Sequence, residues 1–480
     1  MKVLLAPALC LLVACTTLGP DYQAPRPSLP ATWSEAHDGS RHADTETLRT
    51  WWRRFDDPLL DRLVDQALAN NQDLGIALAR LRQARADRTI AAAGLGPTIG
   101  ASGNLQALRS SRRTDPPGGG TTQAYGLGLD ARWELDLFGG LRRGVEAADA
   151  RVSAVEADGH ALRVSLLAEL ATDYGQLRMT QARLAVSRDT IGLLRDSERI
   201  AERAWHAGLG TEADYRQARA ERESAEAQPA QLEAGVARLT HAIGVLAGGF
   251  PGDWKETLLT SAPAPLLPPE LPLAMPSEVI RQRPDLRADE RRLAAATADI
   301  GVAEAARYPR FSIPLSIGTD AHLIHDLFSA ASASWSAAIA GNQTVYDGGS
   351  NRAGVERAEA EAQAALLAWE RDVRGALRDV EDALTGIDTA CRRRDHLVAA
   401  IDDSRTALDR ATRLYRQGLS GYQPVLTAQR SLNAVRDARL LNDQDELDAG
   451  IGLYKALGAG WDMPVNEASA SQAPRRPTPR

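Results

Sequence analysis

Clusters of side chains with the spacing of a metal site or a catalytic motif are few in this 480-residue sequence. His322, His325 and Asp326 stand close together and offer the imidazole and carboxylate ligands that divalent metals use. Histidines in a loop between two strands are more often solvated, so we expect no bound metal there. The sequence has no phosphate-binding loop, no His-Glu-x-x-His pair and no Gly-x-Ser-x-Gly turn. We therefore expect neither an enzyme nor a cofactor.

Cys15 has the clearest chemical role. A positive charge, a short apolar run and Ala14 precede it, which indicates a bacterial secretory signal over residues 1–14. Residues 12–15 (LVAC) resemble a lipobox, so we expect covalent diacylglycerol and N-acyl lipid on Cys15. An ordinary signal peptide that contains a cysteine is the alternative. Thr16 rather than Asp follows, which favours delivery to the outer membrane.

Cys391 would be alone once the signal, with Cys10, is removed, so no intrachain disulfide is possible. Leu377, Leu384, Cys391 and Val398 recur at intervals of seven, a spacing that predicts an apolar seam on one helix. We expect Cys391 to be a buried core thiol.

The overall composition argues against two further classes of protein, those that bind nucleic acid and those that span a membrane with helices. A net charge of −7 gives no case for nucleic-acid binding. No apolar run after the signal reaches the length of a transmembrane helix. If the chain crosses a membrane, we expect it to do so as β-strands.

The sequence repeats itself with a period of about 210 residues. Asp73-Leu74 returns as Asp285-Leu286, and Gly208-Leu209 returns as Gly418-Leu419. The order of the repeated motifs is the same in both copies, which indicates a duplicated and fused structural unit. We therefore predict these segments: signal peptide 1–14, lipidated N-terminal tether 15–50, first repeat 51–250, proline-rich linker 251–276, second repeat 277–460 and disordered C-terminal tail 461–480.

Each repeat is predicted to contain a helix, a β-hairpin, a very long helix and a return helix. In the first repeat, residues 125–137 alternate apolar and polar side chains, the period of a strand. Thr211 should cap the return helix, and Pro229 should kink it. The predicted ranges are helix 51–94, strands 97–107 and 125–138, and helices 140–206 and 211–247; then helix 277–307, strands 310–318 and 335–346, and helices 350–416 and 422–457.

These elements suggest a channel built from several chains. Four strands cannot close a barrel, and unpaired strand edges in lipid are very costly, whereas three chains would supply twelve strands. A helix of 67 residues would be about 100 Å long. The elements therefore predict an α+β membrane protein in which three chains, with four strands each, close a twelve-stranded β-barrel and the long helices form a cylinder wall. A soluble sheet packed on helices would show the same alternation.

Five motifs together resemble the outer-membrane efflux lipoproteins of the TolC-like family, also called NodT or RND-type outer-membrane factors. The resemblance covers nearly the whole chain, and it rests on the motifs Trp51-Trp52 to Asp57-Pro58, Trp133 to Gly139, Arg283 to Arg287, Ala298 to Ala303 with Tyr308-Pro309, and Tyr346 to Gly349. It implies a trimeric twelve-stranded transmembrane β-barrel, four strands per chain, continued by a long α-helical periplasmic barrel. The implied function is a passive outer-membrane exit duct for drugs or other small toxic compounds. It also implies a homotrimer that partners a periplasmic adaptor protein and an inner-membrane RND pump.

The resemblance also assigns roles at the two helix-to-helix turns. The implied adaptor-contacting tips are Gly208, Leu209, Gly418 and Leu419, and the implied pore aperture is formed by Asp214 and Tyr415. Tyr415 could equally pack in a helix seam. Pro424 and Thr427 stand where the family's second copy has acidic residues, which puts a strongly cation-selective second ring in doubt.

Three other functions stay open. A duct for metal-ion efflux or for type I secretion would use the same architecture. A lipid-anchored periplasmic coiled-coil scaffold without a pore would explain the long helices and Cys15. It would not explain the paired strands in both copies.

Overall fold

The computed structural model describes residues 17–35, 41–42, 45–109, 111, 113, 120–268 and 272–461. The predicted signal, Cys15 and nearly all of the predicted tail lie outside these residues. Contacts divide the chain into two units, each described by itself: the first comprises Met1–Pro27, Ala79–Ala157 and Arg287–Arg371, and the second comprises Ser28–Leu78, Asp158–Leu286 and Asp372–Arg480.

The first part of the chain contains seven principal elements among the described residues. In chain order they are α1 (Pro58–Asn70), α2 (Gln72–Ala93), β1 (Thr98–Arg109), β2 (Thr121–Leu135), α3 (Gly140–His206), α4 (Glu212–Glu226) and α5 (Gln228–Leu246). Short pieces surround them: helices Thr45–Arg49 and Lys255–Leu259, a 3-10 helix Trp51–Phe55, and two-residue strands Arg41–His42 and Pro272–Leu273 that pair in parallel.

The second part repeats this order. Its elements are α6 (Pro276–Gln282), α7 (Pro284–Ala305), β3 (Arg310–Ala321), β4 (Ala333–Ala337), β5 (Ala340–Asn342), α8 (Ser350–Arg416) and α9 (Gln423–Ala456), with 3-10 turns at Ile324–Asp326 and Ala330–Ser332. The predicted bounds of the two long helices, 140–206 and 350–416, are confirmed to the residue, and each contains 67 residues.

The predicted helix over 51–94 is wrong as a single element, because aspartate and asparagine caps divide it. Asp56 has a left-handed φ of 48°, and the Asp57 carboxylate accepts from the N–H groups of Leu59 and Leu60 at the start of α1. Asn71 separates α1 from α2 in the same way, since its side-chain oxygen accepts from Asp73 N at 2.9 Å. The kink expected at Pro229 is found as the break between α4 and α5.

The predicted strand over 335–346 is also interrupted. β4 pairs with residues 315–319 of β3 and β5 pairs with residues 310–312, so the gap falls opposite Pro314. Proline has no N–H to donate to a strand ladder. The Pro314 carbonyl still accepts from Ala338 N at 3.1 Å. Only the hydrogen bond that a backbone N–H at position 314 would donate is lost.

The first unit contains an antiparallel sheet in the order β1-β2-β3-β4, with β5 also on β3. Its two faces differ in polarity. In one register row Ala101, Leu129, Ile317 and Trp335 stand opposite one another, and the last three are 53%, 63% and 79% exposed. The other face carries polar pairs: Ser102 with Asp130, Ser316 with Ser336, and Ser334 with Asp320. The sheet therefore presents an apolar face that no described residue of this chain covers.

The second unit has an aromatic core. Trp51 is buried and stacks on Tyr454 with ring centroids 4.9 Å apart. Asp57, besides capping α1, accepts from the Tyr174 hydroxyl at 2.6 Å, and the buried Arg178 donates to that hydroxyl at 3.1 Å. The motif from Trp51 to Pro58 thus fixes α1 against α3. Among the described residues, no helix is both long and apolar enough to cross a membrane.

The expectation for Cys391 is wrong, because its side chain is exposed in this chain. The buried positions on α8 form rows that themselves recur at seven: Val373 with Val380, and Ala376 with Ala383 and Ala390. The row of Leu377, Leu384 and Cys391 lies one residue beside the second of these rows, at the edge of the buried stripe. Leu384 is still buried, whereas Cys391 and Val398, which is 53% exposed, lie on the surface.

Candidate functional site: the two helix-to-helix turns

The turns that end α3 and α8 have the same backbone geometry. Gly208 and Gly418 each have a φ of 72°, a left-handed conformation that glycine adopts without a Cβ clash. In the first turn Leu209 N donates to Ala204 O at 2.8 Å, and in the second Leu419 N donates to Leu414 O at 3.0 Å. Each of these bonds joins the N–H of one residue to the carbonyl five residues before it. Each glycine N–H also donates to the carbonyl three residues before it, and the two bonds together define a Schellman motif.

The residue after each glycine is an exposed leucine. Leu209 is 80% exposed and Leu419 is 71% exposed, although leucine is usually buried. Both turns therefore expose the same apolar side chain at the same position. We call residues 204–211 the first tip and residues 414–421 the second tip.

The two tips differ in how the return helix begins. Thr211 and Asp214 form a capping box at the start of α4: Thr211 N donates to Asp214 Oδ2 at 3.2 Å, and Asp214 N donates to Thr211 Oγ1 at 3.1 Å. The predicted cap at Thr211 is confirmed. The N-cap of α9 is Tyr422, whose side chain makes no cap hydrogen bond. The Asp214 carboxylate is therefore already engaged by the backbone.

Tyr415, which belongs to the second tip, is buried in a small cluster. It is 8% exposed, and its ring centroid lies 5.5 Å from that of Tyr422. The other buried members of the cluster come from three helices: Ala201, Ala218, Val425 and Leu426. Burial and the negative charge of Asp214 raise the pKa of Tyr415. The structure thus brings the predicted aperture residues Asp214 and Tyr415 within electrostatic reach of each other.

Sequence reasoning missed an aromatic stack at the first tip. Trp205 stacks on Tyr215 with centroids 5.5 Å apart, and it also stacks on His206. Trp205 stands 210 residues before Tyr415, so an aromatic ring at the same position of both repeats was the available signal. The partners differ, since Tyr215 lies on α4 of the first repeat and Tyr422 begins α9 of the second.

Ion pairs hold α4 on both of its sides. Towards α3, Arg222 Nε pairs with Glu198 Oε2 at 2.5 Å, and Arg195 Nη2 pairs with Glu226 Oε1 at 2.8 Å. Towards α9, Glu221 Oε2 pairs with Arg430 Nη2 at 2.5 Å.

Sequence reasoning also missed the pair between Glu221 and Arg430. These residues are 209 apart in sequence, close to the repeat period, so an opposite charge at nearly equivalent positions was the signal.

The comparisons with known proteins agree with this geometry. The family model described as outer membrane efflux protein matches residues 63–249 and 275–459. The chain belongs to the outer membrane efflux protein family. The toluene efflux pump outer membrane protein TtgI of Pseudomonas putida is 32% identical over 468 residues, which are 96% of this chain and 98% of that protein.

A relative named as a cation efflux protein and a solved channel structure support the same family. The cation efflux system protein CusC of Escherichia coli is 29% identical over 461 residues, which cover 95% of this chain and 98% of that protein. The outer-membrane channel OprN superposes with a TM-score of 0.87 at 35% identity, with 93% of this chain and 100% of that chain covered. The family that the sequence motifs resembled is therefore confirmed.

As an efflux protein, this chain departs from the expected aperture in its second repeat. Pro424 lies in the first turn of α9, where it needs no backbone N–H. The Thr427 hydroxyl donates to the Gln423 carbonyl at 3.0 Å. The start of α9 thus supplies no carboxylate at these two positions.

The two loop histidines contact different groups. His322 Nδ1 lies 2.9 Å from the Gln123 carbonyl oxygen, and His325 Nε2 lies 3.3 Å from Asp326 Oδ1. Within the part of the chain that the structure describes, no group of three or more histidine, cysteine or acidic side chains could hold a metal ion.

Proposed function

We propose that this chain is the outer-membrane exit duct of a tripartite RND-type efflux system, through which drugs or other small toxic compounds leave the cell. The observation that carries the proposal is the two-faced sheet. Leu129, Ile317 and Trp335 form an exposed apolar row, while the opposite face of the same strands bonds polar side chains to one another. Lipid on one side and water on the other would satisfy both faces.

The open edges of this sheet support a homotrimer with one twelve-stranded barrel. β1 is exposed along its whole length, and β4 forms the opposite edge. Unpaired N–H and C=O groups cannot remain in lipid, so each edge requires a partner strand. Pairing β1 of one copy with β4 of the next copy would satisfy both edges and close the barrel after three copies.

The duplication and the domain bounds are part of the same proposal. The family model matches the chain twice, and the two long helices have equal lengths. We propose residues 51–250 and 277–460 as the two repeats, joined by the linker 251–276, with a periplasmic barrel formed by their helices.

The tips would be the contact with the periplasmic adaptor. Two matched tips in each of three chains would give six equivalent contact points, each with one exposed leucine. Adaptor binding to Leu209 and Leu419 would bias the return helices outward and open an aperture near Asp214 and Tyr415. The RND pump would drive transport, and the duct itself would remain passive.

Cys15 would anchor the chain in the outer membrane through its lipid. The test is incorporation of radiolabelled palmitate, which the Cys15→Ser variant should lose while it still reaches the periplasm.

Metal-ion efflux is the second candidate, and the similarity to CusC favours it. Growth of a deletion strain on copper or silver salts, compared with growth on toluene and antibiotics, separates the two substrate classes. Sensitivity to the metals alone would replace the first candidate with the second.

The channel proposal is tested by extraction of the native protein from membranes. Both a duct and a lipid-anchored scaffold should require detergent, but the duct should run as a trimer that dissociates on heating and should conduct ions after reconstitution. A detergent-extracted monomer without conductance would support the scaffold without a pore and contradict the proposal.

A further inference from the structure

Residues 17–22, which directly follow the predicted lipid attachment site, lie in a fitted site of the first unit. Leu18 N donates to the Phe138 carbonyl at 3.2 Å, where β2 leads into α3. The sequence predicted an extended tether here, because prolines are frequent between residues 19 and 30. Hydrogen bonds and close contacts instead hold the first part of this segment along its length.

Three glycines allow the segment to approach the backbone of its site. A Cβ on Gly19, which has a φ of 84°, would lie 2.5 Å from the Gly301 Cα. A Cβ on Gly301 would lie 2.6 Å from the Leu18 carbonyl oxygen, and one on Gly139 would lie 2.7 Å from the Thr17 Cα. Backbone therefore packs against backbone, and any side chain at these three positions would displace the segment.

Arg143 provides the polar part of the site. Its side chain is only 4% exposed, and it donates to the Leu18 carbonyl at 3.0 Å, the Gly19 carbonyl at 3.2 Å and Asp21 Oδ1 at 2.7 Å. Its remaining bond goes to Glu146 on the same helix. A buried guanidinium without partners is costly, and most of the partners here belong to the segment. The site is thus complete only when the segment is bound.

Tyr22 fixes the other end of the segment on α7. Its hydroxyl donates to Glu290 Oε1 at 2.8 Å, and the Arg291 guanidinium lies 5.5 Å from its ring centroid. The segment therefore contacts α3 of the first repeat and α7 of the second.

We propose that Gly139, Arg143, Glu290, Arg291 and Gly301 form a binding site, here called the N-terminal clasp, whose ligand is the chain's own segment Thr17–Tyr22. Its role rests on the proposed lipid at Cys15: only Thr16 separates that cysteine from the bound segment. The clasp would hold the chain on α3 and α7 from the second residue after Cys15 onward.

Chymotrypsin cleavage after Tyr22 tests the clasp in the full-length protein purified in detergent. The released N-terminal peptide is quantified by mass spectrometry, so cleavage at other aromatic residues does not interfere. Cleavage follows the fraction of time that the segment is open, so Arg143→Gln should accelerate it by about tenfold or more, given the lost charged hydrogen bonds. Arg151→Gln is the matched control, because Arg151 also joins α3 to α7 by pairing with Asp299 and does not touch the segment.

A second variant keeps the test decisive if Arg143→Gln fails to fold. Asp21→Ala removes one partner of Arg143 from an aspartate that is 87% exposed, so the fold should survive and cleavage should rise several-fold. Cleavage in both variants at the wild-type rate, or rapid cleavage of the wild type itself, would overturn the clasp. Conductance of the same samples tests the proposed duct separately, since a failed clasp would leave it unchanged.

Discussion

Glu221 on α4 and Arg430 on α9 join the return helices of the two repeats, with Oε2 and Nη2 2.5 Å apart. A second polar contact lies closer to the tips, where Gln217 Nε2 donates to Gln423 Oε1 at 3.1 Å. Opening of the aperture by outward movement of α9 would have to break both contacts. We therefore propose that these contacts stabilise the closed state of the duct.

Arg430→Gln should favour the open state. An exposed ion pair contributes at most about 1 kcal/mol, so the open fraction should rise by up to about fivefold for each chain. The measurement is open probability in planar bilayers. Arg188→Gln is the control, because Arg188 pairs with Glu233 at 2.8 Å between α3 and α5 of one repeat. An equal rise in both variants would show that the pair between the repeats has no special role.

Asp214→Asn separates two roles of this residue. Asparagine keeps an oxygen that can accept from Thr211 N but removes the charge, so the cap should persist while the preference of the channel for cations falls. Thr211→Ala should do the reverse and cost about 1 kcal/mol of stability. Reversal potentials and thermal unfolding measure the two effects. An unchanged reversal potential in Asp214→Asn would exclude Asp214 from the aperture.

The stability of the second unit should depend on the protonation of Asp173. Burial first, and then the charges of Glu169 and Asp448, raise its pKa to about 6. Burial also raises the pKa of Asp448, which Gln176 and Gln444 oppose by hydrogen bonding. Because the folded pKa lies above the ordinary value of 3.8, the stabilisation is complete below 3.8 and is lost as the pH rises through about 6.

Asp173→Asn should therefore raise the melting temperature at about pH 8 and change it little at about pH 4. Asp437→Asn is the contrasting variant, since Asp437 accepts from Arg183 at 2.7 and 3.1 Å and its loss should destabilise the fold near neutral pH. The same stabilisation by Asp173→Asn at both pH values would contradict this account.

Leu129→Lys should impair insertion of the sheet into the membrane. A lysine in the lipid-facing band costs about 2–4 kcal/mol near the bilayer midplane. Ser336→Lys places the same charge on the polar face, where Ser336 contacts Ser316 at 2.8 Å, and should be tolerated better. Heat-dissociable trimer in outer-membrane fractions is the readout. Equal amounts of trimer from both variants would mean that the apolar face does not meet lipid.

Local signals explain which parts of the fold were predictable from the sequence. The long helices ended where predicted, because Gly208 and Gly418 have a left-handed backbone conformation that only glycine adopts easily. The caps at Asp57 and Asn71 were equally local signals, yet the helical pattern around them concealed the breaks.

Contacts between distant residues were not predictable in this way. Arg143 meets Asp21 across 122 positions, and no periodicity encodes that meeting. The expectation for Cys391 failed because a spacing of seven shows that residues share a helix face but does not show which face is buried. The buried row is Ala376, Ala383 and Ala390, one position before the row of Cys391.

Gating of the proposed duct at its tips can be measured by single-channel conductance before and after crosslinking. Cysteines at Gln217 and Gln423, in a Cys391→Ser background that removes the exposed native thiol, would be joined by a short bismaleimide. We expect discrete conductance steps that adaptor protein increases before crosslinking and that remain at the closed level afterwards. Absence of any conductance from purified trimers, or full opening after crosslinking, would contradict the proposed gating.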